Sequence, residues 1–494
     1  MLGIDPDGRS DRLDDHYKHL RRGFNWLGSA TVIAKLIDFG TIVTVLLFLT
    51  KDQVGVASLV VSIGMVVESM NGLGTGEALV QARDVSRLQL DTVFWFVIGL
   101  SLVIVCVILL LSPAVQMVYG IAGMTAYLAV IAVKQPIVGA ALIPIALMNR
   151  ALQYERIAVV NVIATFLAAL TRLGLAVGGA GAWALVIGFA AHGLYTLIGA
   201  QVARPFRPSL QFRMYAISGL THFGVRAAVN NALHQMFKNV DYLLIGWLYG
   251  PSQLAIYRVA FDIAMEPVMA VGMLVNRTSM PVFARVWENK AKLLGALQWS
   301  LGRLEILLMP LMAFFVMAAD PLMTLLHDRE GHSYAGAALP LKLLAIAAML
   351  RVTLEVLYAL MLASGRPGAA VRLSGSTLLL LSGGLLTAGF IYPAGTGVVA
   401  MSAVWLLIYP PLLFWGAHFL QHNWAIHISQ LKNAMIVPLV GVAALTIVWA
   451  VGKPLIHNFN PEVQITCAAI TAALTYLGMF VYLRKKSQNA ETTM

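Results

Sequence analysis

The feature that most constrains this chain is a succession of apolar runs, each of roughly 20 residues or more, separated by short polar breaks from Gly23 to Leu483. Such runs are long enough to cross ~30 Å of hydrocarbon as helices. They fall near residues 23–50, 54–80, 91–111, 124–148, 157–177, 182–202, 216–248, 253–283, 293–319, 335–363, 372–391, 396–419, 431–451 and 463–483. The pattern predicts an all-α polytopic membrane protein with 14 transmembrane helices. Alternation with period two in ten-residue segments, the mark of an outer-membrane barrel, is absent. Composition agrees, since 59% of the residues are apolar and 12% charged, whereas about 25% of a soluble domain is charged.

The net charge of +11 would suggest nucleic acid in a soluble protein. Its placement gives a different reading. With the N-terminus in the cytoplasm, 21 Lys and Arg residues fall on the cytoplasmic side, against Lys51, Arg329 and Lys453 outside. Basic loops stay inside, so the split predicts a multi-pass membrane protein with both termini cytoplasmic, and no nucleic-acid partner. No short apolar segment with a small-residue cleavage site precedes the first run, so no removable signal peptide is expected. Cys106 and Cys467 lie in apolar runs, which excludes a disulfide framework or thiolate metal cluster. No phosphate-binding loop of the Gly-x-x-x-x-Gly-Lys-Ser/Thr kind occurs. Gly72, Gly74 and Gly76 read as a kink or close helix packing. The longest outward loop, about Asp320 to Tyr334, is too short for a folded domain. It holds the one plausible metal cluster, His327, Asp328, Glu330 and His332, for which an ordinary solvated loop is the stronger reading. We expect a protein that is not an enzyme and holds neither cofactor nor metal.

The halves share a weak repeat at an offset near 200 residues. Gly23–Gly28 resembles Gly219–Gly224, Lys35-Leu-Ile-Asp38 resembles Lys238-Asn-Val-Asp241, and Gln81-Ala-Arg83 resembles Phe283-Ala-Arg285. Six spans per unit is even, so the units would enter the membrane from the same side. The expected plan is a cytoplasmic tail (1–22), an N-lobe of six helices (23–210), a C-lobe of six (211–420), and two further helices with a cytoplasmic tail (421–494). Two such lobes around a central cleft form the usual setting for alternating access, which makes a transporter the leading class.

Charges within the spans sharpen this. Each would cost ~2.5–3.5 kcal/mol at a helix centre, so they must face water, pair, or reach the interface. Arg172, Arg277 and Lys342, near span ends, read as reaching the headgroups. Arg226, Asn230, His234, Lys238 and Asp241 recur at steps of four, four, four and three, which places them on one helical stripe roughly 22 Å long. Lys35 and Asp38 repeat the theme in the first lobe, Lys134 lies deep in the fourth span, and Arg351 precedes Glu355. Arg258 and Asp262 are spaced for either a cavity wall or a local pair. Glu68, and Glu266 beside Pro267, are candidates for ion coupling together with Asp38, Asp241 and Asp262. Basic residues outnumber acidic ones in the spans, which suits an anionic cargo. The substrate-binding candidates for such a cargo are therefore Lys35, Arg226, Lys238, Arg258 and Arg351, with Asn230, Asn231 and His234 as hydrogen-bonding groups beside them.

Several segments carry a family likeness: Asp38-Phe39-Gly40, Gly74-x-x-x-Ala78-Leu79-Val80-Gln81, Asp91-Thr92-Val93-Phe94-Trp95, Pro144-x-x-Leu147-x-x-Arg150, Leu244-Ile245-Gly246 with Ile256-Tyr257, and Pro281-Val282-Phe283-Ala284-Arg285. In these the chain resembles the Wzx-type polysaccharide transporters, flippases for lipid-linked sugars in the multidrug/oligosaccharidyl-lipid/polysaccharide exporter superfamily. The likeness covers roughly the first 290 residues; the remainder matches in hydropathy and span count. It implies a V-shaped pair of six-helix lobes that moves an undecaprenyl-diphosphate-linked oligosaccharide, an O-antigen, capsule or exopolysaccharide repeat unit, to the periplasmic leaflet. Lys35 resembles a basic residue midway along the first helix of related lipid-precursor flippases. Membrane lipids, and a polysaccharide polymerase with chain-length or export proteins, are the partners such a role implies. The alternative within the superfamily is a cation-coupled drug or metabolite antiporter.

Overall fold

A computed structural model describes residue 28 and residues 30–82, 84–456 and 459–491, with side chains omitted at 219–227, 230, 234, 271, 273–278, 367, 433–438 and 480–491. The expected N-terminal tail, 1–22, lies outside the described residues. Among these, regular structure is helical apart from a single bridge between His327 and Ser333.

The chain forms two compact units, Met1–Trp247 and Leu248–Met494. In the first, α1 covers residues 30–46, followed by α2 (Lys51–Glu68), a 3-10 turn (Asn71–Gly74), α3 (Thr75–Gln81), α4 (Arg87–Tyr119), α5 (Met124–Arg150), α6 (Tyr154–Val177), α7 (Ala182–Ala203) and the first arm of α8 (Ser218–Val286). Thr50 and Ser86 close capping boxes with Gln53 and Gln89 at the starts of α2 and α4, satisfying N–H groups a helix start leaves open. The glycine kink is where the sequence places it. Gly72 and Gly74 have φ of 78° and 67°, a conformation that costs a side-chain-bearing residue 1–2 kcal/mol, and the chain turns there between α2 and α3. Within this unit α5 is central, packing against α2, α4 and α7. The first arm of α8 belongs here too, through Asn231 to Glu77 (3.1 Å) and Tyr119 to the Leu243 carbonyl (3.5 Å). The compact units thus divide one helix later than the sequence repeat.

The second unit holds the rest of α8, whose helical run is interrupted at Gly250 (φ 81°), then α9 (Lys290–Leu325), α10 (Ala338–Ala363), α11 (Pro367–Ile391), α12 (Ala394–Trp424), α13 (Ile428–Ile456) and α14 (Pro461–Glu491). Here α9 is the hub, contacting α10, α13 and α14. Small residues make the approach close: Ala313, Ala318, Ala468 and Ala472 pack with Met317 and Leu445. Eleven helices among the described residues are long and apolar enough to cross a membrane. The chain is a multi-pass membrane protein.

Candidate functional site

In the first unit two intramembrane ion pairs join different helices. Lys134 on α5 is 2% exposed, and its Nζ lies 2.6 Å from Glu68 Oε2 at the end of α2. The same ammonium stands 3.1 Å from the centroid of the Phe189 ring on α7, a cation–π contact strengthened by the absence of water. Arg172 on α6 donates to Asp38 on α1 at 2.9 Å. His192 of α7 is within electrostatic reach of all four groups. Glycines make room for this cluster: a Cβ at Gly188 would lie 2.1 Å from Arg172 Cγ, and one at Gly193 would lie 3.1 Å from Lys134 Cε. Arg172 therefore does not extend to the headgroups as expected. A carboxylate one helix away offsets its desolvation better than a stretch to the interface.

In the second unit the deep cations pair within their own helices. Arg258 and Asp262 on α8 are 3.2 Å apart, and Arg351 and Glu355 on α10 are 3.4 Å apart, both at i, i+4 spacing. Tyr409 of α12 stands against Arg351. Of the two readings open for Arg258 and Asp262, the local pair is the one that forms. Glu266 is half-buried; Asp241, on the arm of α8 that belongs to the first unit, is fully buried, with its Oδ1 accepting the Tyr242 N–H. Near the end of α9, Asp320 accepts from Lys342 at 2.6 and 2.8 Å, with Lys453 of α13 3.5 Å away. Lys342 is thus held by a carboxylate, again in place of the expected reach to the headgroups.

The positions matched by the sequence repeat behave alike, although both sets fall within the first unit. Lys35 and Lys238 are exposed, while the aspartates three residues on, Asp38 and Asp241, are half-buried and buried. The side chains of Arg226, Asn230, His234 and Arg277 lie outside the described residues. Asn231 donates to Glu77, so its amide is already engaged. His192 was not singled out by the sequence; a histidine between Gly188 and Gly193 on an apolar helix is the signal that would have found it. Glu305 on α9 is 1% exposed and accepts from the Thr353 hydroxyl at 3.3 Å, and its Oε2 has no hydrogen-bond partner among the described residues. In the 326–334 loop, Asp328, Glu330 and His332 do come within 4.8 Å. Asp328 Oδ1 there accepts the N–H groups of Glu330 and His332, which closes a turn. Burial beside Asp328 pushes the neighbouring Tyr334 phenol well above its ordinary value.

Three of the segments that carry the family likeness, those around Leu79, Asp91 and Arg150, meet at one end of the first unit. Arg150 donates to the Leu79 and Ala82 carbonyls at the end of α3, a favourable place for a cation. Leu79, Leu90, Val93, Ile143 and Ala146 form one buried cluster with Phe206 and Ile217. Asp91 accepts from the Ser209 N–H and hydroxyl, and the Trp95 indole donates to the Ser209 carbonyl. Those signature residues build the scaffold.

A family described as "Polysaccharide biosynthesis protein" matches residues 47–332. The chain belongs to this family. Among curated relatives of this family member, the teichuronic acid biosynthesis protein TuaB of Bacillus subtilis is 24% identical over 84% of this chain and 86% of its own length. The lipopolysaccharide biosynthesis protein WzxC of Escherichia coli is 23% identical over 55% of this chain and 56% of its own. Among solved structures, the lipid II flippase MurJ in an inward closed conformation aligns with a TM-score of 0.74 at 12% identity, covering 93% of this chain and 99% of that one. The family resemblance read from the sequence therefore holds, and the fold is of the MurJ kind.

Proposed function

We propose that the protein is a flippase that moves an undecaprenyl-diphosphate-linked oligosaccharide across the bacterial inner membrane by alternating access. The observation that carries this reading is membership of the polysaccharide biosynthesis family over residues 47–332, in a chain whose relatives are named for teichuronic acid and lipopolysaccharide synthesis. A lipid-linked sugar resists spontaneous flipping because its charged, hydroxylated headgroup must shed water. A polar path through protein removes that barrier while the polyprenyl tail stays in lipid. Fourteen spans belong to the same proposal: α1 and the two arms of α8 about Gly250 join the eleven. So do the lobes at 23–210 and 211–420 and the cytoplasmic placement of both termini.

Cargo contact is assigned chiefly to Lys35 and Lys238, which correspond between the two sequence repeats and are exposed. Arg226, Asn230 and His234 join them by their stripe on α8. Arg258 and Arg351 would act only by trading a carboxylate for a phosphate. Asp38, Glu68, Asp241, Asp262 and Glu266 remain coupling candidates. In cells lacking the gene, wild-type protein should restore surface polysaccharide and the double variant Lys35→Ala/Lys238→Ala should not. Wild-type export from a well-expressed double variant would reject the lysine assignment. A drug-sensitivity phenotype with polysaccharide intact would favour the antiporter alternative.

A further inference from the structure

Between α7 and α8 the chain runs outside the membrane-crossing helices and is fastened down at both ends. Phe206 is 3% exposed, 5.9 Å from the Phe94 ring and beneath the Arg87 guanidinium, and Ile217 is fully buried in the same cluster. Between these anchors the backbone is tied to the first turns of α4. Besides Asp91 and Trp95 holding Ser209, the Thr92 hydroxyl accepts the Arg213 N–H at 3.3 Å and the Gln89 amide donates to the Ala216 carbonyl at 3.1 Å.

The segment held in this way turns its large side chains outward. Leu210 is 91% exposed and Tyr215 74%, with Phe212 and Met214 about half exposed. Arg204, Arg207 and Arg213 alternate with them and are exposed as well. No Asp or Glu occurs from Arg204 to Tyr215. A loop able to relax would fold such apolar groups away from water, and this one is prevented by its ties to α4. Because α7 ends at Ala203 and α4 begins at Arg87, the segment lies where the spans leave the hydrocarbon. Aromatic and aliphatic groups beside arginines suit that zone, with the rings at headgroup level and the guanidiniums on phosphates.

We propose that residues 204–215 form a docking strip for anionic lipid headgroups, with Leu210, Phe212, Met214 and Tyr215 seated at the headgroup–acyl boundary and Arg204, Arg207 and Arg213 on lipid phosphate. Because the strip connects the two sequence repeats, the lipid would steady the link between them. The test is backbone hydrogen exchange over 207–216 in the full chain, reconstituted in phosphatidylcholine vesicles with or without phosphatidylglycerol. Phosphatidylglycerol should slow exchange in the wild type. The variant Arg204→Gln/Arg207→Gln/Arg213→Gln should lose that protection by roughly fivefold per arginine, on the order of a hundredfold in all, while α4 exchanges as before. The corresponding triple lysine variant should retain most of it. Equal exchange of the wild type in the two vesicle types would overturn the proposal, and needs no variant to fold. Protection in native membranes that phosphatidylglycerol vesicles fail to reproduce would also overturn it, assigning the strip to a protein partner.

Discussion

The two units solve the same electrostatic problem differently. In the first, Glu68–Lys134 and Asp38–Arg172 each join helices far apart in the sequence, whereas Arg258–Asp262 and Arg351–Glu355 in the second close within one helix. A pair between helices fixes packing, and breaking it removes a tie between elements and leaves a half-buried charge without its partner. A pair within a helix contributes little to tertiary structure and can open without separating elements. The Asp320–Lys342–Lys453 group, at the end of α9, is the second unit's counterpart to the first unit's arrangement. The difference suggests a first unit tied at its centre by charge, and a second whose deep cations are held more loosely.

The largest expected effect breaks the tie between α2 and α5. Lys134→Met should destabilise the protein by about 3 kcal/mol, read as a fall in thermal midpoint in detergent. Much of the loss should return in Lys134→Met/Glu68→Met, because the second change removes the stranded carboxylate. A double variant no better than the single one would show that packing, and not the charge, matters there. Arg172→Ala should cost less, about 1 kcal/mol, since Asp38 is 35% exposed and water can reach it. Arg351→Gln, in the second unit, should likewise cost about 1 kcal/mol, because Arg351 is as buried as Arg172 and also meets Tyr409 of α12; a loss comparable to that of Lys134→Met would erase the contrast between the units. Smallest of all, Glu305→Met should change stability by less than about 0.5 kcal/mol or raise it, because it removes a buried oxygen with no hydrogen-bond partner among the described residues.

Spans were legible in the sequence because hydropathy is a local property, and each helix of the structure overlaps one of the apolar runs. The i, i+4 pairs were legible for the same reason. Asp38–Arg172 was not, because its members are 134 residues apart and nothing local in either helix names the other. Lys134 was visible as a deep cation, but the Phe189 face and the glycines that admit it lie on α7. The signature around Asp91 and Arg150 was readable as a family likeness and silent about its use; the hydrogen bonds to Ser209, Leu79 and Ala82 give it one. Among the described cargo candidates that carry a cation, Lys35 and Lys238 are exposed, whereas Arg258 and Arg351 are half-buried and paired.

The most direct test is translocation of a fluorescent undecaprenyl-diphosphate oligosaccharide in proteoliposomes, followed by loss of signal to a quencher that cannot enter the vesicle. The wild type should expose inner-leaflet label far faster than protein-free vesicles. Lys35→Ala/Lys238→Ala should run near the protein-free rate, and Arg351→Gln should keep most of the activity. No acceleration by correctly folded wild type, with the cognate sugar repeat supplied, would contradict the account.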